Sequence, residues 1–132
     1  MAVLEHCALF VSDLEGSKQF YCRWFGAKAN KKYHNPRTGL TTYFLTFEGG
    51  ARLEIMSRPD ITKPAGNQQL GYAHIAFTVG TRNDVDSLAN ELDKAGFTIT
   101  SGPRTTGDGY YEAVVLDPEG NHVEFVAEEA QK

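Results

Sequence analysis

The chain has 132 residues, a hydrophobic fraction of 41% and a net charge of −4, enough apolar material for the core of one domain. The acidic balance excludes a nucleic-acid backbone as the expected partner, and no run reaches the ~18 apolar residues of a membrane span. No basic stretch followed by an apolar one opens the sequence, so the expected location is the cytoplasm. The two cysteines, Cys7 and Cys22, are expected as free thiols, with Cys7 buried on the helix side of its strand.

Residues 3–11 read as a strand. Ser12-Asp13-Leu14-Glu15 then reads as a capping box, with Ser12 capping and Glu15 reaching back. Apolar residues at Leu14, Phe20, Tyr21, Trp24 and Phe25 follow near helical period, and Gly26 stops the helix. Three β-rich stretches come next, approximately 28–34, 41–47 and 52–57. They are divided by Asn35-Pro36-Arg37-Thr38-Gly39 and by Glu48-Gly49-Gly50. Residues 58–70 read as a linker.

The plan then repeats. Residues 73–79 form a strand, and Thr81-Arg82-Asn83-Asp84 opens a helix lined by Val85, Leu88, Ala89, Leu92 and Ala95 and ended by Gly96. Stretches 97–101, 111–116 and 122–127 complete the set, the last two joined by Asp117-Pro118-Glu119-Gly120. The expected organisation is an α+β fold of two tandem βαβββ modules in one domain over 1–132. Module 1 covers approximately 1–57, the linker 58–70 and module 2 approximately 71–128, forming a curved mixed sheet around a metal-lined cavity.

Within this repeat, His6 precedes Glu54 by nearly the same interval that separates His74 from Glu124, and each Glu stands four residues after a turn glycine, Gly50 or Gly120. Strand parity puts His6 with Ala8 and Phe10, His74 with Ala76, Glu54 with Arg52 and Met56, and Glu124 with His122 and Val126. In all four strands the more uniformly apolar face excludes the candidate ligand and is expected to pack on the helices. Two imidazoles and two carboxylates suit one divalent ion such as Zn, Ni, Co, Mn or Fe. Phe10, Met56, Ala76 and Val126 give the same face an apolar lining for a small-molecule substrate. His34 and His122 read as surface strand residues.

These segments carry a resemblance. His6 through Val11, Asp13-Leu14 with Ser17, Phe20-Tyr21 and Gly26, Leu53-Glu54-Ile55, Ala73-His74-Ile75-Ala76-Phe77 and Asp117-Pro118-Glu119-Gly120-Asn121 through Glu124-Phe125 resemble the vicinal oxygen chelate superfamily. That superfamily includes glyoxalase I, extradiol dioxygenases, methylmalonyl-CoA epimerase and the fosfomycin and bleomycin resistance proteins. The resemblance implies ligands at His6, Glu54, His74 and Glu124, a set most similar to glyoxalase I. It also implies a metal-dependent lyase or isomerase acting on a small oxygen-chelating substrate. Glu124 is then the proton-shuttling base, Glu54 the second choice, and a homodimer the expected assembly. A two-His, one-Glu site with Fe, as in extradiol dioxygenases, would use His6, His74 and Glu124 and leave Glu54 a bystander. A metal-free binding protein like those conferring bleomycin resistance is the third alternative. Phe10 departs from the glyoxalase I pattern, which implies an arginine there for the glutathione carboxylate. Arg37, Arg52 and Arg104 are the cations able to replace it, so glutathione dependence stays open.

Overall fold

A computed structural model describes residues 1–66 and 68–128; Asn67 of the expected linker and residues 129–132 of the expected domain lie outside the described residues. The chain divides into two compact units, Met1–Ala65 and Gly66–Lys132. The fold is α+β, with one mixed sheet and one long helix in each unit.

The first unit contains β1 (His6–Phe10), α1 (Leu14–Phe25), β2 (Lys28–Ala29), β3 (Tyr33–His34), β4 (Thr41–Thr46) and β5 (Arg52–Ser57). Its sheet runs β1-β5-β4-β2, with β3 also paired to β4. The single strand expected over 28–34 is thus two short ones. Asn30 causes the break: its backbone N–H donates to the Phe44 carbonyl, and its side-chain oxygen accepts from the Phe44 N–H. A side chain that satisfies the neighbouring strand's backbone displaces ladder pairing. Helix α1 packs on β4 and β5 through buried Leu14, Ser17, Phe20 and Tyr21, against Leu45, Leu53 and Ile55 of the sheet core.

The helix cap is a correction. Asp13, not Ser12, is the N-cap, accepting from the Gly16 N–H at 3.0 Å. The Glu15 carboxylate accepts from the Tyr43 hydroxyl at 2.8 Å and pairs with Lys32 at 2.8 Å. Gly26 closes the helix at φ 72°, the left-handed conformation that glycine adopts without a Cβ penalty.

The second unit contains β6 (His74–Gly80), α2 (Arg82–Lys94), β7 (Ile99–Thr105), β8 (Tyr111–Leu116) and β9 (His122–Ala127), in the sheet order β6-β9-β8-β7. Thr81 caps α2 in a full capping box with Asp84. Val85, Ala89 and Leu92 bury the helix against a sheet core of Ala113, Val115, Val123 and Phe125. Leu88 is half-buried and Ala95 exposed, so the packed stripe is narrower than the sequence pattern.

In both units the first and last strands pair in parallel, β1 with β5 and β6 with β9. That pairing brings residues from the two ends of a module side by side. The first strand is also the outermost one of its sheet, which is why Cys7 is exposed rather than buried. Both thiols are free. No helix among the described residues is long and apolar enough to cross a membrane.

Candidate metal centre

The two turns before the glutamates are built alike. Gly50 N–H donates to the Phe47 carbonyl and Phe47 N–H to the Ala51 carbonyl; Gly120 N–H donates to Asp117 and Asp117 N–H to Asn121 in the same pattern. Gly50 and Gly120 sit at φ 95° and 86°, where a side chain would be strained. The second turn is further locked by the buried Asp117 carboxylate, which accepts from the Glu119 and Asn121 N–H groups. Each turn delivers its strand in the same register. Ala8 is the Cα partner of Glu54, and Ala76 the Cα partner of Glu124.

The glutamate therefore stands beside an alanine, with the histidine two residues back along the neighbouring strand. In the first unit His6 Nε2 lies 3.5 Å from Glu54 Oε1; in the second, His74 Nε2 lies 3.1 Å from Glu124 Oε2. An imidazole nitrogen and a carboxylate oxygen at these separations suit a shared proton or a common cation. Both glutamate side chains retain 19% of their surface and the histidines 35% and 42%, open enough for exchange with a small ligand. Taken unit by unit, each supplies one imidazole and one carboxylate; among the described residues neither gathers three His, Cys, Asp or Glu side chains able to hold a metal. The donor chemistry of each pair fits a divalent ion.

Surroundings differ between the units. His6 Nδ1 lies 2.5 Å from the Glu5 carboxylate, which Arg52 grips at 2.7 Å. These bonds, that to Arg52 first, hold the Glu5 carboxyl below its usual range. In the second unit His122, half-buried, is the Cα partner of His74, and Glu112 lies on β8 opposite Val126. Burial, then the charges of Glu124 and Asp108, push Glu112 up, against the pull of Arg104 and His74. The sequence reading passed over both Glu5 and Glu112. Parity on the strand over 111–116 would have put Glu112 on the face of Val114, the Cα partner of Glu124.

Among the expected lining residues, Phe10 and Met56 are Cα partners beside the first pair, and Phe10 is 43% exposed. Ala76 adjoins Glu124, and Val126 is the partner of Thr78. Of the candidate cations, Arg52 is engaged with Glu5 and Arg104 donates to Ser101 at 3.3 Å. The cation beside Phe10 is Arg58, with its guanidinium 5.8 Å from the ring centre and bonded to Asp60. His34 is exposed and bonded to Thr41, in keeping with a surface strand residue.

Residues 3–125 match the sequence model of the Glyoxalase/Bleomycin resistance protein/Dioxygenase superfamily. The chain is 30% identical to glutathione transferase FosA of Serratia marcescens, over 92% of this chain and 78% of that protein. It is 29% identical to lactoylglutathione lyase of Haemophilus influenzae, over 96% of this chain and 93% of that protein. Among solved structures, the trypanothione-dependent glyoxalase I of Leishmania major superposes with a TM-score of 0.79 at 27% identity, covering 97% of this chain and 88% of that one.

Proposed function

Since the chain belongs to the Glyoxalase/Bleomycin resistance protein/Dioxygenase superfamily, we propose that it is a metal-dependent lyase or isomerase of glyoxalase I type. Its substrate is a small molecule offering two neighbouring oxygens, and the cytoplasmic working form is a homodimer. The proposed ligand set is His6, Glu54, His74 and Glu124, one imidazole and one carboxylate from each pair. One observation carries this reading: the His–Glu contact occurs twice, at the same register of the same strand pair. A two-His, one-Glu site would leave Glu54 without a task, whereas it stands against His6 as Glu124 stands against His74.

A divalent ion bound by these residues would polarise the substrate oxygens and make the adjacent C–H acidic. Glu124 is the base, taking that proton on its carboxylate and returning it to the neighbouring carbon, and His74, with Nε2 3.1 Å from Glu124 Oε2, is the imidazole donor of the same pair. Glu54 holds the second carboxylate position and is the alternative base. Phe10, Met56, Ala76 and Val126 exclude water from the reacting carbons. The relatives named for glutathione chemistry make the methylglyoxal–glutathione adduct the first substrate to assay.

Metal analysis of purified protein with Glu54→Gln and Glu124→Gln variants tests the ligand set. One equivalent of metal per chain, lost in both variants, is expected. Metal retained by Glu54→Gln would favour the two-His, one-Glu alternative, and oxygen uptake with a catechol would then decide for ring cleavage.

A further inference from the structure

Three side chains close a ring on His6. Glu5 bonds the His6 Nδ1 at 2.5 Å, Arg52 bonds Glu5 at 2.7 Å, and the Arg52 guanidinium lies 4.1 Å over the Phe44 ring. Phe44 in turn meets the His6 ring edge-on, with centroids 5.1 Å apart and planes at 79°. Stacking and ion pairing thus restrain both the carboxylate and the imidazole. With Nδ1–H donating to Glu5, the lone pair of the neutral ring is on Nε2, the nitrogen that faces Glu54.

None of this recurs among the described residues of the second unit. The register there puts Ala73 where Glu5 stands, His122 where Arg52 stands and Val114 where Phe44 stands. We propose that Glu5 is a positioning residue that fixes the His6 tautomer and aims Nε2 as a preformed donor, making the first unit's pair the anchor for incoming metal. The inference rests on the reading of His6 as a ligand and adds an asymmetry that the shared His–Glu pairs do not contain. A carboxylate or other acceptor on the outer nitrogen of a ligand histidine raises its basicity and orients it, and its loss typically weakens metal binding roughly 10- to 100-fold. Glu5–Arg52 is an exposed ion pair of the kind that adds little to stability, so unfolding data alone would not reveal the role.

The test has two readouts. Long-range proton–nitrogen spectra of the imidazoles are recorded on metal-free protein about two pH units above the ordinary histidine value of about 6.5. His6 is expected as the Nδ1–H tautomer in wild type and in Glu5→Gln, whose amide oxygen still accepts, and as Nε2–H in Glu5→Ala. Zinc titration of the same proteins is expected to show binding weakened roughly 10- to 100-fold in Glu5→Ala and less in Glu5→Gln. Nδ1–H persisting in Glu5→Ala, or Nε2–H in wild type, would overturn the proposal. A tautomer that switches while zinc affinity stays unchanged would overturn the anchoring role. Wild-type protein that holds Nδ1–H but takes up no zinc would uphold the orientation and sink the ligand set instead.

Discussion

At the residue scale, the candidate ligands were legible because each sits at a repeated position, and repetition survives where a single histidine would not stand out. Their companions were hidden for a physical reason. Glu5 acts through its side chain on the next residue and on Arg52, a strand away, so spacing carries no trace of it. Cys7 was misjudged because parity gives a face and not a depth: on an outermost strand the inward face is only partly covered. The alanines opposite the glutamates yield a prediction of their own. Ala8 and Ala76 are small enough to let each carboxylate lean past them toward its histidine. Ala8→Val or Ala76→Val should weaken zinc binding by roughly tenfold, the scale of other outer-shell changes. Thermal stability should hold, since a β-branched residue suits an exposed strand position. Calorimetric titration beside a melting curve separates the two effects, and unchanged affinity would refute the steric argument.

At the element scale, the helices and the last two strands of each module follow closely from sequence, because periodicity, capping residues and turn glycines agree there. The strands 52–57, 111–116 and 122–127 have the expected bounds. Agreement failed at Asn30 and at the start of α1, where one polar side chain chose between backbone partners, and at the strand expected over 97–101, which instead spans Ile99–Thr105 and runs through Gly102 and Pro103. Glu15 shows what the second failure concealed: it ties the helix to β4 and to Lys32. Lys32 and Tyr43 lower its carboxyl from 4.5 to about 2. A carboxyl depressed by folding stabilises above its unfolded value, and that contribution is lost as pH falls from about 4.5 through about 2. Because the pair is well exposed, solvent screening keeps the effect below about 1 kcal/mol. Glu15→Gln should therefore lower the unfolding free energy slightly at pH 7, with the difference from wild type shrinking as the pH is taken below 4.5. A difference that grew on acidification would contradict the assignment.

At the scale of the whole molecule, the repeat, the α+β class and the family were all legible, whereas the register that sets His against Glu had to come from structure. Metal binding should be visible as stability. On the proposed ligand set metal binds the folded protein and not the unfolded chain, so saturating metal at about 100 times its dissociation constant should add about 2.7 kcal/mol. A chelator should lower the melting temperature correspondingly, and Glu54→Gln and Glu124→Gln should abolish the response. A melting temperature indifferent to chelator would count against a metal held by the native fold.

The parallel pairing of first and last strands also orders events in time. When a module is synthesised, its histidine emerges at the start and its glutamate only with the final strand, after the helix and the intervening hairpin strands. A lone imidazole on a nascent chain is a poor trap for a divalent ion. Each His–Glu pair comes into being only when the strand that closes its sheet has docked, so metal capture by the proposed ligands would report a finished module, and a chain stopped short or misregistered presents half a pair.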